Sequence, residues 1–137
     1  MALIKNALSS SGRSRRGATG ARRVAISSFE RMSGGAVQQN WALDVENRGG
    51  PHAGVQRWVL RIDAPAAVAE SLTRSQEFRV LQAMHEAKVL APRPLWLCED
   101  AAVAGGAFFI MQRLPGIAAG YKVARDAQLV PDRGRLA

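Results

Sequence analysis

The sequence has few of the features that would stabilise a small secreted protein or anchor a chain in a membrane. Cys98 is its single cysteine, so no internal disulfide can form. No apolar run reaches the roughly 18 residues that a membrane-spanning helix needs. Neither His52 nor His85 has metal-ligand neighbours at a useful spacing, and we therefore predict no metal site. These absences favour a globular protein of the cytoplasm, without a membrane partner.

Acidic residues are absent from residues 1–29, and most of the net charge of +8 lies there. Six basic residues contribute +6 in that stretch, whereas residues 30–137 contribute +2 from 13 basic and 11 acidic side chains. We interpret residues 1–23 as a basic, flexible segment with a short helix at residues 2–8. A basic arm can bind nucleic acid through its phosphates, but no aromatic residues alternate with these arginines. The sequence therefore does not favour a nucleic-acid partner.

The hydrophobic pattern of residues 24–116 predicts three strands, a helix and two further strands. The strands are predicted at 24–29, 41–45, 58–62, 95–98 and 108–111, and the helix at 71–87. Turn-forming residues at 47–54 indicate a long hairpin loop between the second and third strands. We expect the helix to pack on an antiparallel sheet through Leu72, Phe78 and Leu81.

A glycine pair follows the first predicted strand, at Gly34 and Gly35, directly after Ser33. Two adjacent glycines allow the backbone to turn tightly and to present amide groups to a phosphate. The same pair fits an ordinary hairpin turn, and on the glycines alone this is the favoured interpretation, with the phosphate turn as the other.

Six short blocks carry a resemblance to a known family. They are SGGA at 33–36, WVLR at 58–61, EFRVL at 77–81, PRPL at 92–95, LCED at 97–100 and FFIMQRLPG at 108–116. In order and spacing they resemble the aminoglycoside phosphotransferase family, in the branch related to the kinase-like domain of acyl-CoA dehydrogenase fusion proteins. The resemblance implies an α+β fold, the small lobe of a protein-kinase-like enzyme, with a five-stranded antiparallel sheet and one packed helix. It places this N-terminal lobe at 24–116 and the start of the inter-lobe linker at 117–137.

The resemblance also implies a nucleotide site. Arg61 stands where kinase-like folds carry the cation that binds the α- and β-phosphates, and Glu77 is the carboxylate that holds this cation, with Glu70 and Glu86 as alternatives. Residues 111–114 would form the connector between the lobes, with backbone groups at the adenine edge. The implied nucleotide-binding residues are Ser33, Gly34, Gly35, Val59, Arg61, Glu77, Met111, Gln112 and Leu114. Val37 stands where the family usually has a serine, so one hydroxyl contact to phosphate is lost.

The activity implied is ATP-dependent transfer of a phosphoryl group to the hydroxyl of a small molecule. Such transfer requires an aspartate base in a His-x-Asp-type loop and a second aspartate for magnesium, and neither His52 nor His85 is followed by such an aspartate. We therefore expect no catalytic residue in this chain, no activity from it alone, and magnesium only in a full-length relative. The alternative is a non-catalytic lobe that binds a nucleotide or a protein partner. A small basic nucleic-acid-binding protein is the third and least favoured interpretation.

Overall fold

A computed structural model describes residues 4, 20, 21, 23–32, 38–63 and 72–116 of the chain. Their centre is a five-stranded sheet in the order β1-β2-β3-β5-β4, in which every neighbouring pair is antiparallel. In chain order the elements are β1 (Arg23–Arg31), β2 (Gln38–Arg48), β3 (Gly54–Asp63), α1 (Arg74–Glu86), β4 (Pro94–Cys98), α2 (Ala101–Ala104) and β5 (Phe108–Gln112). The predicted fold class, an α+β lobe with a helix packed on an antiparallel sheet, is confirmed.

The hairpin between β2 and β3 is tighter than the sequence suggests. The ladder runs from Gln38 opposite Asp63 to Asn47 opposite Gly54, so both ends of the predicted loop at 47–54 belong to strands and residues 49–53 form the turn. Gly50 has φ 83°, and a Cβ at this position would come within 2.8 Å of the carbonyl oxygen of Gly20. A larger residue at position 50 would therefore displace backbone, which explains a glycine at this point of the turn.

The two faces of the sheet bury separate hydrophobic clusters. On one face Trp58 and Leu60 of β3 belong to the first cluster, together with the buried residues Ile4, Ala21, Val24, Leu43, Val45, Phe108 and Ile110. Because side chains alternate along a strand, Val59 points to the opposite face. There it forms the second cluster with Phe78 of α1 and with Phe109 and Met111 of β5. Helix α1 thus covers the half of the sheet that contains β5 and β4.

Helix α1 begins later than its hydrophobic pattern predicts. Thr73 is the N-cap, and it forms a capping box in which its hydroxyl accepts from the Gln76 amide while the Gln76 side chain accepts from the Thr73 amide. Leu72 precedes this cap and is 53% exposed, so the prediction that it packs on the sheet is wrong. The predictions for Phe78, which is buried, and for Leu81, which packs against the second cluster, are confirmed.

Two features of the described residues were not expected from the sequence. Ile4 is helical, in line with the helix predicted at 2–8, but it is only 7% exposed and belongs to the first cluster, which a flexible segment would not provide. A short helix, α2, follows β4; Asp100 caps its start and Gly105, with φ 84°, ends it. The other residues of the predicted helix at 2–8, the glycine turn and the linker at 117–137 lie outside the described residues. None of the described helices is long and apolar enough to cross a membrane.

Candidate functional site

The sheet face that carries α1 brings Arg61 of β3 and Glu77 of α1 together. The distance between Arg61 Nη2 and Glu77 Oε1 is 2.8 Å, and 24% and 18% of the two side chains are exposed. Glu77 is therefore the helix carboxylate that pairs with Arg61. The contact that the sequence predicted is present, and its part in nucleotide binding stays a prediction.

Arg74 of α1 binds the other carboxylate oxygen of Glu77, and the sequence analysis did not identify this residue. Its side chain is fully buried, and Nε lies 2.8 Å from Asp63 Oδ1. Its Nη1 donates to Glu77 Oε2, while Nη2 donates to the Leu72 carbonyl oxygen at 3.1 Å. Asp63, Arg74, Glu77 and Arg61 thus form one continuous chain of alternating charges. The three-residue spacing of Arg74 and Glu77 on the helix was the signal that could have revealed half of this chain.

The electrostatic environment of Arg61 follows from that arrangement. Burial lowers the pKa of Arg61, and the neighbouring charge of Arg74 lowers it further, whereas the Glu77 carboxylate raises it. Glu77 is shared between two guanidinium groups, so it neutralises neither completely. A partly exposed arginine whose positive charge is costly to bury is a favourable partner for a ligand anion, because the anion supplies the missing negative charge.

Asn40 of β2 stands directly opposite Arg61 in the ladder. Its Oδ1 atom is buried and accepts no hydrogen bond from any described residue. An unsatisfied buried polar atom is costly in an otherwise well-paired structure. A ligand that offers a donor beside Arg61 would satisfy it, and nothing in the sequence pattern had singled this residue out.

Val59 and Met111, which the resemblance assigns to the adenine base, are directly opposite each other on β3 and β5. They are 5% and 9% exposed, so only an edge of each side chain remains for a ligand. Phe109 is completely buried and its ring lies edge-on to Phe78, with centroids 5.9 Å apart. This confirms the interpretation of Phe109 as a core residue.

The connector, residues 111–114, continues directly from β5. The Gln112 amide donates to the Arg93 carbonyl oxygen at 2.9 Å, and the Arg113 amide donates to the Arg57 carbonyl oxygen at 3.0 Å. Both amides are therefore occupied within the lobe. Leu114 is 38% exposed, and its amide has no partner among the described residues. The part of the predicted connector residues in contacting adenine stays a prediction.

Three predicted site residues, Ser33, Gly34 and Gly35, lie outside the described residues. Within the described ranges no group of three or more histidine, cysteine, aspartate or glutamate side chains is arranged to hold a metal ion. The described part of the candidate site therefore consists of the series of ion pairs that ends at Arg61, the Val59–Met111 pair and the connector.

Comparison with known proteins adds a family to this geometry. The model of the phosphotransferase enzyme family matches residues 28–137. No curated protein matches the chain. Among solved structures, the chain is similar to the crystal structure of a candidate aminoglycoside phosphotransferase from Ralstonia eutropha JMP134, with 26% sequence identity and a TM-score of 0.48. The match covers 69% of this chain and 24% of the Ralstonia protein.

Proposed function

This chain belongs to the phosphotransferase enzyme family, and from that membership we propose that it supplies the nucleotide-binding lobe of an ATP-dependent phosphotransferase. The observation that carries the proposal is the 2.8 Å ion pair between Arg61 and Glu77. It joins the central strand to the packed helix, beside the Val59–Met111 pair. A cation oriented by a helix carboxylate is what phosphoryl transfer enzymes of this fold use to position the phosphates of a nucleotide.

The residues of the candidate site have the following parts in this proposal. Arg61 binds oxygens of the α- and β-phosphates, for which its planar guanidinium is suited. Glu77 orients Arg61, and Arg74 with Asp63 holds Glu77 in place. The exposed edges of Val59 and Met111 contact the adenine ring, and the connector at Gln112 and Leu114 borders its polar edge.

The remaining parts of the proposal rest on the family alone. Ser33, Gly34 and Gly35 turn over the triphosphate, and ATP supplies the phosphoryl group. The acceptor is the hydroxyl of a small molecule, and the enzyme acts in the cytoplasm. The branch is the one related to the kinase-like domain of acyl-CoA dehydrogenase fusion proteins. Magnesium and the catalytic aspartates belong to the large lobe of a full-length relative, so we expect this chain to be inactive alone.

Titration of the chain with ATP tests the nucleotide site. We expect weak binding, with a dissociation constant on the order of 1 mM, which corresponds to a binding free energy of about 4 kcal/mol. The reason is that this lobe contacts the adenine and the phosphates from one side only. Amide resonances of Gly34, Gly35 and Leu114 should shift in a saturable way. Arg61→Ala should abolish binding, and Glu77→Ala should weaken it less, since the guanidinium loses its orientation and keeps its charge.

Arg79→Ala is the matched control, because it removes an exposed arginine from the same helix. If the resonances stay still at several times the expected dissociation constant, or if Arg79→Ala weakens binding as much as Arg61→Ala, the nucleotide site is refuted. The chain would then be a lobe that binds a protein partner. ATP turnover by the purified chain that disappears in Arg61→Ala would refute the expected inactivity while supporting the site.

A further inference from the structure

A pocket lies at the N-terminal end of β3, the end away from Arg61, between the β2–β3 hairpin and the connector. Its volume is about 350 Å³, at the lower end of the range of small-molecule pockets. The polar residues that line it include Arg57, Arg93, Arg113, Gln112 and His52. We call it the connector pocket. Arg57 precedes Arg61 by four strand positions, or roughly 13 Å at the rise of an extended chain. The pocket is therefore distinct from the proposed phosphate site.

The charge of the connector pocket is unbalanced. No aspartate or glutamate is among the described residues that line it. Arg113 is paired with Asp44, at 2.6 Å between Nη2 and Oδ1. Arg57 and Arg93 have no carboxylate within 4.0 Å in the part of the chain that the structure describes. Asp44 lies opposite Arg57 in the β2–β3 ladder, but its carboxylate is engaged by Arg113, so three arginines share one described carboxylate around this cavity.

The backbone that carries these arginines is held by hydrogen bonds. The Gln112 amide donates to the carbonyl oxygen of Arg93, and the Arg113 amide donates to that of Arg57. The backbones of Arg57 and Arg93 are thereby fixed on the sheet, while both side chains are exposed. Binding of a ligand by both guanidinium groups therefore includes the entropic cost of ordering these two side chains.

One wall of the pocket is aromatic and rigid. Trp58 is 2% exposed, and its ring lies edge-on to Trp96 at 4.9 Å between centroids. His52 completes the group, with its ring 5.1 Å from that of Trp96. Because side chains alternate along β3, Trp58 and Arg57 leave the strand on opposite faces, and they border the pocket from different sides of the sheet.

We propose that the connector pocket binds a small anion that carries at least two negative charges on phosphate or carboxylate groups. Arg57 and Arg93 bind the charged oxygens, since the guanidinium fork matches both groups in geometry. The side-chain amide of Gln112 adds a neutral donor, and the wall formed by Trp58 and His52 excludes water from one side. This site does not depend on the proposed nucleotide function.

The test uses pyrophosphate and citrate as probes, so that phosphate and carboxylate chemistry are compared on the same protein. Binding is followed by calorimetry and by resonances of the His52 ring, the Trp58 indole and the Gln112 side chain. We expect saturable binding of at least one probe in Arg61→Ala, which removes the other anion site. Arg57→Gln with Arg93→Gln should weaken binding about tenfold or more.

Arg48→Gln with Arg79→Gln is the matched control, because it removes the same charge from exposed arginines outside the pocket. This control should bind within about twofold of the parent chain. Equal weakening by both double variants would assign the binding to overall charge and overturn the proposal. Absence of binding of both probes would overturn it as well, as would binding that is lost in Arg61→Ala. Unchanged melting temperatures show that the variants remain folded.

Discussion

Arg113, on the connector, and Asp44, in the middle of β2, form an ion pair with 2.6 Å between Nη2 and Oδ1. The two residues are 69 positions apart in sequence, and β3 lies between the strands that lead to them. The Arg113 side chain therefore reaches across β3, whose Arg57 carbonyl oxygen accepts from the Arg113 amide. The connector is thus attached to the sheet through both its backbone and a side chain.

A double-mutant cycle on Arg113→Ala and Asp44→Ala should give a coupling free energy of about 0.5–1 kcal/mol. Both side chains are partly buried, which places the coupling free energy in the upper part of the range for surface pairs. Solvent screening keeps it from exceeding that range. Denaturant unfolding of the four chains measures it. The same cycle on Arg48 and Glu46, which are exposed and 3.7 Å apart, should give a value near zero. Equal coupling in both cycles would contradict this distinction.

Arg74→Met should lower the free energy of unfolding by about 2–4 kcal/mol. The change keeps most of the buried volume but leaves Glu77 and Asp63 without their shared cation. Chemical denaturation measures the loss, and Arg79→Met on the exposed side of α1 should stay within about 0.5 kcal/mol. A neutral or stabilising result would show that an apolar side chain replaces the charge chain without loss, as happens at some buried ion pairs.

Thr73→Ala should destabilise the chain by about 1 kcal/mol. It removes the hydroxyl that accepts from the Gln76 amide and leaves a donor of the first helical turn unsatisfied. Gln82→Ala, at an exposed position of the same helix, is the control and should have little effect. If Thr73→Ser restores the stability that Thr73→Ala loses, the hydroxyl is responsible; a failure of serine to restore it would contradict the capping explanation.

Ile4→Ala should lower the free energy of unfolding by about 2–3 kcal/mol, because Ile4 is buried in the first cluster. The composition of residues 1–23 leads to the opposite expectation, that the basic segment can be removed without loss of stability. Leu90→Ala is the control, since Leu90 is 94% exposed. Thermal melting of the two variants decides between the expectations, and a silent Ile4→Ala would restore the one based on composition.

The sequence predicted the strands well because two hydrophobic patterns are visible in it. Trp41, Leu43 and Val45 alternate with smaller or charged residues, as in a strand with one buried face, and β5 is a continuous apolar run, as in a strand buried on both faces. Around the hairpin the second strand was ended too early, at residue 45, and the third was begun too late, at residue 58, since Asn47 and Gly54 resemble a turn in composition and still continue the ladder. Local composition does not reveal how far two paired strands extend.

The candidate site was predicted only where the family resemblance provided a position. The Arg61–Glu77 contact followed from that resemblance. The three-residue spacing of Arg74 and Glu77 could have suggested their contact, but not that Arg74 is buried, because a buried and an exposed arginine look alike in a helical pattern until the partner strand is known. Asp63 and Asp44 contribute through contacts between distant segments, and the single sequence contains no signal for such contacts.

The position of β5 between β3 and β4 has a consequence for the order in which the lobe can assemble. Strands β1, β2 and β3 follow one another in sequence and are neighbours in the sheet, so they can pair as soon as they have been synthesised. Strand β4 pairs with β5 and with no other described strand, so it must wait for residues that are made later. The slow step of folding should therefore be the closure of the long loop between β3 and β5. Until residue 112 has left the ribosome, β3 exposes an unpaired edge, and this is the stage at which the nascent chain is most open to misassembly.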